Sequence, residues 1–133
     1  MRPLAVALVL VLVLLAACGG PGDAKTFAAG DVTVVDTSGL VTGATRVDPP
    51  SPSEVDGPTA VNGDSLTQVV VTWAGSSCIN GWTIRLAGNA LELSIEPGLE
   101  TSGCEGVPAA HRVRLDVNRV VEVEGIEITQ LGS

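Results

Sequence analysis

Trp82-Thr83-Ile84-Arg85-Leu86-Ala87-Gly88-Asn89-Ala90-Leu91-Glu92-Leu93-Ser94-Ile95 decides the fold. Trp82, Ile84 and Leu86 fall on one side of an extended chain, with Thr83, Arg85 and Ala87 on the other. After Gly88 and Asn89, Leu91, Leu93 and Ile95 repeat the alternation against Glu92, Ser94 and Glu96. A period of two belongs to a strand with one buried face. Two such runs joined by Gly and Asn, which accept the positive φ of a tight turn, predict a β-hairpin.

The same period continues on both sides of the hairpin. Upstream, Val69, Val71 and Trp73 alternate with Gln68, Val70 and Thr72; downstream, His111, Val113, Leu115 and Val117 alternate with Arg112, Arg114 and Asp116. Pro97 and Gly98 predict the end of the second hairpin strand, and Leu99 to Ala110 a connecting loop that holds Cys104. A last pair, Val120–Val123 and Ile126–Leu131, separated at Gly125, reads as one bent strand or two. No segment carries a sustained apolar period of 3.6. The expectation is an all-β domain of six or seven strands. Because each strand has one apolar face that needs cover, the expected architecture is a small antiparallel β-sandwich with one disulfide, preceded by a flexible tether. It is immunoglobulin-like in architecture only, since Cys78 falls in a loop and not within a strand.

Before Leu66 the pattern weakens. Val32–Val35 predicts one short strand. Ser38 to Asp64 carries Pro49, Pro50, Pro52 and Pro58 among many Gly, Ser, Thr and Asp, a density that forbids a helix interior or a strand ladder. That stretch is expected to be a loop or extension, with a brief strand near Ala44–Val47.

The first residues give an address. Arg2 is followed by an apolar run, Leu4 to Leu15, and by Leu15-Ala16-Ala17-Cys18. This resembles the lipobox of bacterial lipoproteins, a signal peptide ending at a cysteine that is cleaved and diacylated. The resemblance implies a mature chain beginning at Cys18, lipid-anchored in the cell membrane on its extracytoplasmic face. Leu4 to Ala17 holds 14 residues, short of the about 20 that a spanning helix needs. The following Gly19, Gly20, Pro21 and Gly22 read as tether. The division expected is therefore 1–17 signal peptide, 18–30 tether, 31–65 Pro/Gly-rich loop or extension with one or two short strands, and 66–133 sandwich core. From Val69 to Val117 the chain is also similar to small actinobacterial lipoproteins of unknown function, in which a strand ending in Trp, a Cys, a hairpin and a second Cys precede a Val-rich strand. That similarity implies no activity. With Cys18 assigned to lipid, Cys78 and Cys104 remain as a disulfide pair in an oxidising compartment.

Charge and composition narrow the function. The formal charge of −8 becomes −9 once Arg2 leaves with residues 1–17, and no basic cluster offsets it. Such a surface repels nucleic acid. Phe27, Trp73 and Trp82 are the whole aromatic set, too few for the platforms that carbohydrate and peptide readers present.

Residues able to do chemistry are scattered. His111 is the only histidine, there is no GxSxG elbow, and Ser76 and Ser77 beside Cys78 read as turn residues. His111 is expected at a strand edge facing solvent. Glu92 with Glu96, and Glu122 with Glu124, read as solubilising charges on wet strand faces, and Glu92 and Glu96 are expected to pair with Arg85, Arg112 and Arg114 across neighbouring strands. Asp48, Glu54, Asp56 and Asp64 are the one candidate calcium group, at spacings that match no EF-hand pattern. No catalytic residue, metal or cofactor is therefore assigned. The function expected is a non-catalytic envelope role, binding a protein or small ligand or supporting another component. The alternatives are an inhibitor of an extracellular enzyme, acting through the Leu99–Ala110 loop, and a small hydrolase using His111.

Overall fold

The hairpin read from residues 82–95 sits at the centre of the larger of two packed sheets. The computed structural model describes residues 24–88 and 92–132; the expected signal peptide, Cys18, Asn89 of the expected turn and Leu91 of the expected strand lie outside them. Nine strands are described: β1 Lys25–Ala29, β2 Val32–Asp36, β3 Val41–Arg46, β4 Thr59–Asn62, β5 Gln68–Ser76, β6 Ile79–Ala87, β7 Glu92–Glu100, β8 Pro108–Val117 and β9 Glu127–Gln130. They form a five-stranded sheet in the order β1-β2-β6-β7-β9 and a four-stranded sheet in the order β3-β8-β5-β4.

The alternating apolar positions meet between the sheets. Val32 and Val34 of β2, Trp82 and Ile84 of β6 and Ile95 of β7 face Val71 and Trp73 of β5 and Val113 and Leu115 of β8, all fully buried. The result is an all-β sandwich stapled by Cys78–Cys104, whose Cα atoms lie 5.8 Å apart.

The sheets are not purely antiparallel. β2 pairs with β6, and β7 with β9, in parallel. For β2 the cause is a change of sheet. The chain leaves β2 for β3 in the opposite layer and returns beside it only after running through β5, so β6 arrives in the same direction as β2.

The crossing from β2 to β3 is tied by Asp36, which is 1% exposed. Its carboxylate accepts from the Ser38 backbone N–H at 2.9 Å, the Ser38 hydroxyl and the Val41 N–H at 2.9 Å. A buried carboxylate with three donors is satisfied, and it fixes the corner where the chain changes layers.

Four sequence expectations need correction. The sandwich begins at Lys25, not near Leu66, and the tether expected through residue 30 is already strand from residue 25. Residues 26–37 hold two strands, since β1 folds back on β2. β7 runs through Pro97 and Gly98 to Glu100; β9 accompanies it only as far as Ile95, so beyond that point β7 has an open side where proline is tolerated. The last pair shrinks to β9, with Val123–Gly125 in a 3-10 turn. The prolines fall together in a strap, residues 47–58, that joins β3 to β4 across the outer face of the four-stranded sheet.

Strand registers define two ends. Lys25 pairs with Asp36 and Ala87 with Glu92 at one end, where Asn118 N–H donates to Leu40 O at 2.9 Å. Asp31, the turn at Ser77 and Cys78, and the loop 101–107 occupy the other.

Candidate functional site

The end away from Lys25 gathers the aromatic and imidazole side chains. β5 and β8 pair Trp73 directly with His111, and both alternate inward with their strands. Their rings stack with centroids 5.4 Å apart and planes at 24°. Trp82, from β6 in the other sheet, meets Trp73 edge-on at 5.9 Å and His111 at 5.5 Å. His111 is only 8% exposed, so the expected solvent-facing histidine is instead part of the core. The alternation with Val113, Leu115 and Val117 already carried that answer, because a strand cannot turn one member of an inward series outward without a bulge.

The cluster is dry. Nε1 of both tryptophans and both ring nitrogens of His111 are buried without a hydrogen-bond partner among the described residues. Burial lowers the His111 pKa below the ordinary histidine value; the Asp31 carboxylate opposes this and the Arg46 guanidinium adds to it. Those two side chains pair with each other at 2.7 Å above the cluster, joining the β1–β2 turn to the end of β3. Among the described residues no serine, cysteine or carboxylate is bonded to His111. Ser76 Oγ accepts from Cys78 N–H at 3.2 Å and Ser77 Oγ from Val107 N–H at 3.1 Å, so both hydroxyls hold turn backbone.

Next to the cluster stands the disulfide loop. Every residue from Gly98 to Pro108 is exposed, including Leu99 at 85% and Val107 at 61%. The loop is nevertheless held. Cys104 is bonded to Cys78, Thr101 N–H donates to Cys78 O at 2.8 Å and Ser77 N–H to Val107 O at 2.9 Å. Glu100 and Glu105 give it negative charge.

The other candidates do not converge. Among the described residues no three of His, Cys, Asp and Glu are placed to share a metal, so Asp48, Glu54, Asp56 and Asp64 form no calcium cage. Glu96 pairs with Arg85 at 2.8 Å across β6 and β7, while Arg114 turns to Asp116 on its own strand at 3.5 Å. Glu122 precedes a 3-10 turn and Glu124 lies within it, so neither is on a strand.

Sequence reasoning missed a groove beneath the strap. About 560 Å³ in volume, it has Val47, Pro50, Val55, Val61 and Val70 along its walls and Thr72 and Arg112 in its floor. The outward valines of β4 and β5, opposite a proline-rich segment, were the available signal.

The chain thus belongs to the class of disulfide-stapled two-sheet β-sandwiches, with a Trp–His–Trp cluster buried beside an exposed clamped loop. Comparison with family models, with curated proteins and with solved structures returned no match.

Proposed function

We propose that this chain is a lipid-anchored envelope protein whose folded part is a non-catalytic binding module, with the loop 101–107 as its contact surface. One observation carries the reading: the sandwich starts at Lys25, at the end opposite the Cys78–Cys104 loop. Seven residue steps lead from Cys18 to Lys25, with six residues between them. Fully extended, these steps reach about 25 Å, so a lipid on Cys18 would hold the Lys25 end close to the membrane. β5 runs nine residues between the two ends, or about 30 Å, and would lift the loop outward by that distance.

A clamped loop suits binding because little freedom is lost when a partner closes on it. Leu99 and Val107 supply apolar anchors and Glu100 and Glu105 an acidic rim, which favours a protein partner with an apolar pocket edged by basic residues. Inhibition of an extracellular enzyme is the second reading, favoured by the same rigidity. Hydrolysis is disfavoured, since His111 is stacked on Trp73 and tilted against Trp82, with no nucleophile among the described residues bonded to it.

The test is a photo-crosslinking residue on intact cells, at Ser102 in the loop or at Ser65 at the opposite end. A discrete adduct from Ser102 and none from Ser65 is expected. Adducts from Ser65 alone would contradict the assignment of the loop as the contact surface.

A further inference from the structure

The groove under the strap has a floor that its own walls do not explain. Thr72, 7% exposed, accepts from Arg112 Nε at 3.2 Å, and Asp48 O accepts from Nη1 at 3.5 Å. These contacts hold the guanidinium in place without neutralising it. Glu54 and Asp56 line the same groove, yet among the described residues Arg112 makes no ion pair with either; Arg119 is likewise unpaired but lies outside the walls of this groove, while Arg46, Arg85 and Arg114 each have a carboxylate partner. Arg112 is thus a positioned cation without an ion-pair partner among the described residues, set between valine and proline walls in a chain of net charge −8, with the two carboxylates of the groove beyond ion-pair distance of it.

We propose that this groove binds a monoanionic amphiphile, a single-chain carboxylate whose head meets Arg112 and whose apolar body lies along Val47, Val55, Val61 and Val70. The volume falls within the about 300–1,000 Å³ of small-molecule sites, and few polar groups among apolar walls is their usual composition. A planar carboxylate matches the outer edge of the guanidinium fork. Glu54 and Asp56 act against a doubly charged head, because each added negative charge on the ligand meets theirs. This reading does not depend on the loop or on the lipid anchor.

The experiment follows methyl and backbone NMR shifts of the full chain carrying Cys18→Ser, titrated with octanoate, octanol and octyl phosphate. Octanoate is expected to shift Val55, Val61 and Val70 saturably, with affinity rising about 2- to 4-fold per added methylene as the groove fills. Octanol and octyl phosphate are expected to bind at least 10-fold more weakly. Arg112→Met, which keeps the apolar stem, should lower octanoate affinity at least 10-fold and leave octanol unchanged. Octanol binding as tightly as octanoate would overturn the assignment of the head to Arg112, a comparison that needs no variant. Tighter binding of octyl phosphate would overturn the monoanion assignment, and absence of saturable shifts at the three valines would overturn the site.

Discussion

Trp73 and His111 occupy one register position on neighbouring strands and stack at 5.4 Å, with the imidazole also against Trp82 from the opposite sheet. The histidine therefore contributes as an aromatic packing unit whose polar atoms are uncompensated. Keeping such a ring neutral inside the core has a consequence in pH.

Because burial lowers the folded-state pKa of His111, the unfolded chain takes up its proton at higher pH than the folded one. Stability from this group is fully present above the ordinary histidine value of about 6.5 and is lost as pH falls from there through the lowered folded value. Urea denaturation at pH 7.5 and pH 5 should show a weaker fold at pH 5. His111→Phe should remove that part of the difference and, at pH 7.5, stay within about 1 kcal/mol of the parent or exceed it, since no hydrogen bond is given up. A loss above about 2 kcal/mol would show that the ring nitrogens are bonded in solution.

Gly75 on β5 should resist substitution although its φ is ordinary. A Cβ there would run into the six-membered ring of Trp82, which is buried and cannot withdraw. Gly75→Ala is expected to cost about 1–3 kcal/mol in urea denaturation and to shift tryptophan emission to the red. An unchanged midpoint would mean that the indole repacks freely.

Asp36→Ala leaves two backbone N–H groups and a hydroxyl without their acceptor at the β2–β3 crossing. A loss of about 3–5 kcal/mol is expected, and Asp36→Asn, which retains one carbonyl oxygen, should recover part of it. Equal effects of the two substitutions would place the corner's stability elsewhere.

Reduction of Cys78–Cys104 frees a loop with a sequence separation of 26 residues, worth about 3.5 kcal/mol in the chain-entropy model. Thermal unfolding with and without reductant measures it. Hydrogen exchange should quicken first at Thr101 and Val107, whose N–H bonds depend on the clamp.

What the sequence made legible follows from how local the signals are. The β5, β6, β7 and β8 strands announce themselves because each buries every second residue, and the disulfide because two cysteines remained. β1, β3 and β4 were harder. Lys25–Ala29 and Thr59–Asn62 are edge strands with few buried side chains, so their alternation is faint and pairing across the sheet decides their state. Prolines in the strap coloured the whole of 38–64, hiding β4 and leaving β3 legible only as the brief strand expected near Ala44–Val47. The Trp73–His111–Trp82 cluster needs three strands from two sheets and has no local signature, although the inward phase of His111 was readable. The groove depends on a segment folding over a sheet, which no spacing encodes.

In the proposed arrangement Cys18 tethers a sandwich whose Lys25 end lies at the membrane, leaving the loop outward. Fractionation of cells expressing the full chain or Cys18→Ser, with mass analysis of the purified N-terminus, tests it most directly. A membrane-bound parent with an acylated Cys18 as its first residue is expected, and a Cys18→Ser chain released from the membrane. A Cys18→Ser chain that stays in the membrane fraction, or a parent with an unmodified Cys18, would contradict it.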